Sequence, residues 1–245
     1  RLTPPSFDGQ RVQSWSIEMP NIDEAVRFRD CFGNIAHLVV IAGPHEELRI
    51  VARGTVETQD RTGFARGLVE IAPVRVYKRE TRRTTPDDNI RALSASVIAD
   101  DPIERMHKLM NAIHERVDYV VGATHSHTSA AEALSDGRGV CQDHAHIFIS
   151  AARVMGLPAR YVNGYFLTYG DAPAEAHHAW AEVWIEGLGW VGFDPANRLC
   201  PTDHYVRLTW GLDSASAAPI RGTRRGGSEE VLDVSVEVQQ QSAQQ

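Results

Sequence analysis

Gly137-Arg138-Gly139-Val140-Cys141-Gln142-Asp143, running straight into the apolar segment Ala145 to Met155, is the stretch that decides the fold. Two glycines let the backbone pass through tight or left-handed geometry, and Cys141 follows at the first helical position. Beyond it Ala145, Phe148, Ala152 and Met155 recur at helical spacing, with Ile147, Ala151 and Val154 on an adjoining face. A helix apolar over so much of its circumference is expected to be buried against a sheet. Gly156 supplies a C-terminal cap and Pro158 bars continuation. Cys141 therefore sits at a helix N-terminus, where unpaired N–H groups and the positive end of the macrodipole favour thiolate over thiol.

A lone cysteine is more often a small buried hydrophobe than a nucleophile. The stretch His177-His178-Ala179-Trp180-Ala181-Glu182-Val183-Trp184-Ile185, a Gly-containing turn, and Trp190-Val191-Gly192-Phe193-Asp194-Pro195 shifts that balance. It reads as a hairpin of two strands rich in Trp and Val. His178 and Asp194 are both even-numbered, so a register pairing even with even positions puts both side chains on one face, whereas an odd register separates them. Cysteine at a helix start with histidine and aspartate on neighbouring strands is the set of parts a thiol nucleophile needs. The imidazole takes the thiol proton, and the carboxylate fixes its tautomer and stabilises the imidazolium.

Gly139-Val140-Cys141-Gln142-Asp143, His178-Ala179-Trp180 and Gly189-Trp190-Val191-Gly192-Phe193-Asp194-Pro195 resemble the three core motifs of the bacterial transglutaminase-like superfamily. The likeness runs from Ile103 to His204, and the part before it resembles the β-rich N-terminal region of many bacterial members. The resemblance implies an α+β fold, a papain-like or transglutaminase-like core preceded by a β-sandwich-like domain. It also implies roles: Cys141 as nucleophile, His178 as base and Asp194 as orienting acid.

The rest of the chain fits an enzyme of this kind. Its 245 residues allow one large or two small domains with a proper core. A formal charge of −7 argues against a nucleic-acid partner, since phosphate contacts need a basic face. No apolar run of about 18 residues occurs, so no membrane partner is expected. The cysteines at 31, 141 and 200 are too few for a disulfide framework and suggest a reducing cytoplasm. No signal-peptide pattern opens the chain at Arg1-Leu2-Thr3-Pro4-Pro5, and family relatives carry a further strand before this point.

Residues 1–85 read as a β-rich domain and 86–245 as the catalytic domain with a C-terminal strand. Arg11 to Met19, Ile35 to Ala42 and Leu48 to Thr58 are strand candidates. Phe32-Gly33-Asn34 is a turn, and Gly43 to Glu47 is a hairpin connection. Arg75 to Arg83, with five basic residues, reads as a solvated linker face. Asp87 or Asp88 caps a first helix. Asp101 and Pro102 open a second with Ile103, Met106, Met110, Ile113 and Val117 in one stripe, and Ser129 with Glu132 makes a capping box for a third. Arg160 to Leu167 and His204 to Trp210 read as strands, and the Thr168 to Ala176 loop, beside His177, is a candidate substrate contact. Leu232, Val234, Val236 and Val238 alternate with polar residues as a half-buried strand does, before a polar tail.

Eleven histidines raise the question of a metal. His125-x-His127, His144-x-His146 and His177-His178 offer imidazoles, but His144 and His146 lie about 200° apart on a helix and cannot share one ion. No Cys-x-x-Cys or His-Glu-x-x-His spacing occurs. No metal or other cofactor is expected, and His177 should face away from His178. Asp143 is expected to complement the helix dipole, and Trp180 and Trp190 to pack over the hairpin.

The expectation is acyl transfer at an amide carbonyl through an acyl-enzyme on Cys141, with the Cys141 backbone N–H as an oxyanion donor. Hydrolysis of a peptide or isopeptide bond in a peptide or protein substrate leads. Transfer to an amine, as by a transglutaminase, and a non-catalytic peptide-binding module are the alternatives. The oligomeric state is not written in the sequence.

Overall fold

A computed structural model describes residues 1–168, 177–226 and 231–240. The Thr168 to Ala176 loop, apart from Thr168, lies outside the described residues. The N-terminal part is β. Strand β1 (Gln10–Glu18) pairs antiparallel with β4 (Val51–Thr58), and β2 (Val26–Arg29) pairs antiparallel with β3 (Ile35–Leu38). The runs at 35–42 and 48–58 were expected to pair with each other; each instead takes a partner from earlier in the chain. The intervening residues 39–50 carry no strand.

The turn into β3 decides this arrangement. Asp30 Oδ1 accepts hydrogen bonds from the N–H groups of Phe32, Gly33 and Asn34. Gly33 stands at φ 107°, where an added Cβ would meet the Val69 carbonyl oxygen at 2.0 Å. The turn therefore closes β2 onto β3, and the Asn34 side chain fastens it by bonding both the N–H and the carbonyl of Trp210.

Strand β5 (Phe64–Ala65) leaves this region to pair with the central sheet. The basic stretch that follows is solvated as expected, but a short 3-10 turn, Val74–Lys78, also drives Tyr77 into the interior. Three helices follow, each packed against the helix that begins at Cys141. Asp87 caps α1 (Asp88–Ser96) by accepting from the Ile90 N–H, and Asp101 caps α2 (Pro102–His114) by accepting from the Glu104 N–H. The Ser129–Glu132 capping box opens α3 (Ala130–Asp136), which ends at Gly137 with φ 63°. The expected α2 stripe is buried at Met106, Met110 and Ile113, with Val117 lying beyond the helix end.

Two short strands, β6 (Asp118–Tyr119) and β7 (Arg138–Gly139), run parallel and pin the chain just before Cys141. Helix α4 (Cys141–Val154) follows, buried from Asp143 through Arg153. It packs on a five-stranded antiparallel sheet made by β8 (Ala159–Phe166), β9 (His177–Ile185), β10 (Gly189–Phe193), β11 (Tyr205–Gly211) and β5. The spatial order is β11-β8-β9-β10-β5.

Alternation gives the sheet two cores. Odd-numbered Ala179, Ala181, Val183 and Ile185 of β9 face α4 and the other helices. Even-numbered Trp180 and Trp190 gather with Val162, Tyr205, Trp210 and Tyr77 on the opposite face. That second core also buries charge: Glu182 takes both Arg160, at 2.7 Å, and Arg207, while Arg160 lies 3.9 Å over the Trp190 ring. Pairing and stacking of this kind are what keep buried guanidinium groups from being prohibitively costly. Residues 231–240 form no strand, and Leu232 and Val234 stay exposed. Alternation alone does not make a strand; a ladder partner is needed, and among the described residues none is paired with this segment.

Candidate active site

Cys141 is the first residue of α4 and is only partly buried. As the leading helical residue its N–H has no intrahelical acceptor and points out of the helix end beside the thiol. Val140, the capping position, has no polar side chain, so Asp143 does the work from inside the helix. Its Oδ2 accepts from the Val140 N–H at 2.9 Å and from the Thr124 hydroxyl at 2.6 Å. Asp143 is fully buried, and burial pushes its pKa up against these hydrogen bonds. Gly139 permits the arrangement, because a Cβ there would stand 2.7 Å from the Asp143 Cβ.

His178 enters from β9 and Asp194 follows the end of β10. The register pairs Trp190 with Trp184 and Gly192 with Glu182, the even-with-even alignment that puts both on one face. Their face is that of the aromatic core, while Cys141 packs against the helical core. The three meet at the end of the sheet, where the two cores adjoin. His178 Nε2 lies 2.7 Å from Asp194 Oδ2, and Cys141 is near enough to the ring to help raise its pKa. Since Nε2 is held by the carboxylate, Nδ1 is the nitrogen left for sulfur.

Asp194 is fully buried and saturated. Oδ2 also accepts from Tyr205 Oη at 2.7 Å and Asn197 Nδ2 at 2.8 Å, and Oδ1 accepts from the N–H groups of Ala196 and Asn197. Burial alone would raise its pKa; the bonds from His178, Tyr205 and Asn197 outweigh burial and lower it. Burial alone would lower that of His178, but hydrogen bonds and charge from Asp194 and Cys141 push it up to about 10. The ring is further boxed by Phe166, Trp180 and Tyr205 at centroid distances of 5.4, 6.4 and 5.9 Å. The arrangement can hold a protonated imidazole between a thiol and an anion, out of reach of most solvent.

The other candidates fall away from this point. His177 is exposed, as its place next to His178 in the strand requires. Both ring nitrogens of His144 face backbone carbonyls, those of Val140 and Val117. His146 is buried, its pKa lowered to about 3 by burial, and its Nε2 accepts from the Ser214 N–H. His125 and His127 stack on each other with centroids 5.9 Å apart. Among the described residues no group of three or more His, Cys, Asp or Glu is placed to hold a metal ion. Trp180 and Trp190 are buried packing residues, as expected.

Sequence reasoning missed Tyr205, Asn197 and Thr124. Asn197 carried a signal, since Asp-Pro-x-Asn is a turn pattern that returns side chains to the aspartate. Tyr205 and Thr124 carried none, because their contacts form only when distant segments meet.

The family model described as transglutaminase-like superfamily matches residues 91–195, and that of the bacterial transglutaminase-like N-terminal region matches residues 1–57. An uncharacterized protein of Mycobacterium tuberculosis (strain H37Rv) is 32% identical over 239 residues, covering 86% of this chain and 76% of the relative. The chain belongs to the transglutaminase-like superfamily. A second uncharacterized protein, from Mycobacterium leprae, is 29% identical over 252 residues, covering 97% of this chain and 90% of its own. The crystal structure of a "Putative Cysteine Protease from Cytophaga hutchinsonii" superposes with a TM-score of 0.68 at 24% identity, covering 88% of this chain and 76% of that one. That likeness shows the fold, a helix packed on a curled antiparallel sheet. Membership in the superfamily, with this geometry, supports thiol-dependent acyl transfer as the general class of chemistry.

Proposed function

We propose that this transglutaminase-like protein hydrolyses an amide bond in a peptide or protein substrate, of peptide or isopeptide type, through an acyl-enzyme on Cys141. The observation that carries the reading is the 2.7 Å His178–Asp194 pair set against a cysteine at a helix N-terminus. The Cys141 thiolate attacks the amide carbonyl, and the oxyanion forms next to the unpaired Cys141 N–H. The proton on His178 Nδ1 goes to the leaving nitrogen, so the amine departs neutral and a thioester remains. His178, now neutral, takes a proton from an incoming water, whose oxygen attacks the thioester. Collapse expels the thiolate, releases the carboxylic acid and restores the imidazolium. Asp194 keeps its charge throughout and holds the ring in the tautomer that presents Nδ1 to sulfur.

A reducing compartment such as the cytoplasm goes with this reading, because the thiol has to stay free. Cys31, Cys141 and Cys200 are all unpaired. The test is a screen of peptides and isopeptides, with and without added primary amines, read by mass spectrometry beside Cys141→Ala. Cys141-dependent products carrying one added water support hydrolysis. Products joined to the amine instead move the assignment to a transglutaminase, and identical traces from both proteins refute acyl transfer.

A further inference from the structure

The ribbon β2–β3 carries two unlike faces. Val26 pairs with Leu38 and Phe28 with Ala36, so Val26, Phe28 and Leu38 share a face, while Arg27, Arg29 and His37 share the other. Val26 and Leu38 are 62% and 60% exposed, too much for a settled sheet surface, and every residue of β2 is exposed. Among the described residues the ribbon has only these two strands, so the outer edge of β2 has no ladder partner. A bare edge with an apolar face is a template for another strand.

The segment from Leu232 to Val238 has the matching pattern. Leu232, Val234, Val236 and Val238 alternate with Asp233, Ser235 and Glu237, and Leu232 and Val234 are 72% and 60% exposed. Set beside β2, its apolar set would continue the Val26–Phe28 face, and its two acids would lie on the side of Arg27 and Arg29. The chain also approaches from the right place. The Arg1 guanidinium contacts Asp30, the residue after β2, through Nε at 2.9 Å, and the Ser216 carbonyl through Nη1 at 2.7 Å. Residues 216–218 therefore lie one guanidinium away from the end of β2. The 14 residues from 218 to 232 can span up to about 45 Å, several times the length of a four-residue strand.

We propose that Leu232–Val238 adds to the outer edge of β2 of the same molecule as a third strand, tying the end of the chain to its N-terminal region. Amide hydrogen exchange on the full chain, resolved by mass spectrometry, tests this. Amides in 26–29 and 232–238 should exchange at least about 100-fold more slowly than an open chain. Successive N–H groups alternate in a ladder, so one of Val234→Pro and Ser235→Pro must remove a pairing bond. That variant should abolish protection in 232–238 and at the amides of 26–29 that point away from β3 together, while the β3-bonded amides and α4 stay protected, which also shows that the variant is folded. Exchange of 232–238 at open-chain rates in the unaltered protein overturns the proposal. So does loss of protection in 232–238 while the amides of 26–29 that point away from β3 keep theirs, because the partner edge is then elsewhere. Protection that rises with protein concentration, together with a dimer mass in light scattering, hands the edge to a second copy and overturns pairing within one molecule.

Discussion

Replacing Asp194 by Asn removes one charge and changes little shape, so its effect isolates what the carboxylate does. The wild-type group accepts five hydrogen bonds, from His178, Tyr205, Asn197 twice and Ala196. An amide that keeps its oxygen on the two backbone N–H groups turns its own NH2 toward three donors. Tyr205 and Asn197 can reorient, and His178 can shed its proton, so the loss falls below the roughly 3–5 kcal/mol of a buried pair broken outright. About 2–3 kcal/mol is expected, the scale of one or two hydrogen bonds to a charged group. The loss should depend on pH with a definite sign. His178 rises from 6.5 to about 10 in the folded protein, so the stability it contributes is complete below 6.5 and fades as pH climbs toward 10. Asp194 is lowered from 3.8, so its contribution is present above that value and fades as pH falls through the folded pKa. The pair therefore contributes most between about pH 4 and 6.5. Urea unfolding followed by tryptophan fluorescence should show the widest gap between wild type and Asp194→Asn near pH 5–6, narrowing toward about pH 10. A gap independent of pH, or one widest in alkali, would falsify the claim that Asp194 holds a protonated His178.

Tyr205→Phe deletes one donor to a buried carboxylate and should cost about 1.5–3 kcal/mol in urea unfolding, with slower alkylation of Cys141. Gly139→Ala drives a methyl to 2.7 Å from Asp143 Cβ. It should cost about 1–3 kcal/mol and disturb the start of α4, read as unfolding midpoint and Cys141 labelling together. Thr124→Val should destabilise by about 1–2 kcal/mol, since a buried carboxylate loses its hydroxyl donor, and a neutral result in thermal unfolding contradicts the anchoring role given to Asp143.

The parts of the site set by local periodicity were legible. Cys141 begins a helix because Gly139-Val140-Cys141 precedes an apolar helical pattern, and the His178 and Asp194 faces follow from period-two counting once the Trp190–Trp184 register is known. The caps at Asp87, Asp101 and Ser129 were legible for the same reason: each is a contact within a few residues. What failed was pairing at a distance. Residues 35–38 and 51–58 look like neighbouring strands, yet the Asp30 turn and its grip on Trp210 commit the first to β2. The parallel β6–β7 bridge is two residues long on each side, too short to leave a pattern. Glu182 reads as the polar member of an alternating strand, and only the meeting of β8, β9 and β11 places it between two arginines.

Iodoacetamide labelling at pH 6, resolved cysteine by cysteine, tests the central claim most directly. An ordinary thiol, with pKa near 8.5, is roughly 0.3% thiolate there. Activation of Cys141 by the helix N-terminus and by His178 predicts labelling on the order of 10–100-fold faster than that of Cys31. His178→Ala should abolish that advantage and Asp194→Asn should reduce it. Equal labelling of Cys141 and Cys31, unchanged by either substitution, would mean that the three residues do not work as a unit, and the acyl-transfer account would fail with it.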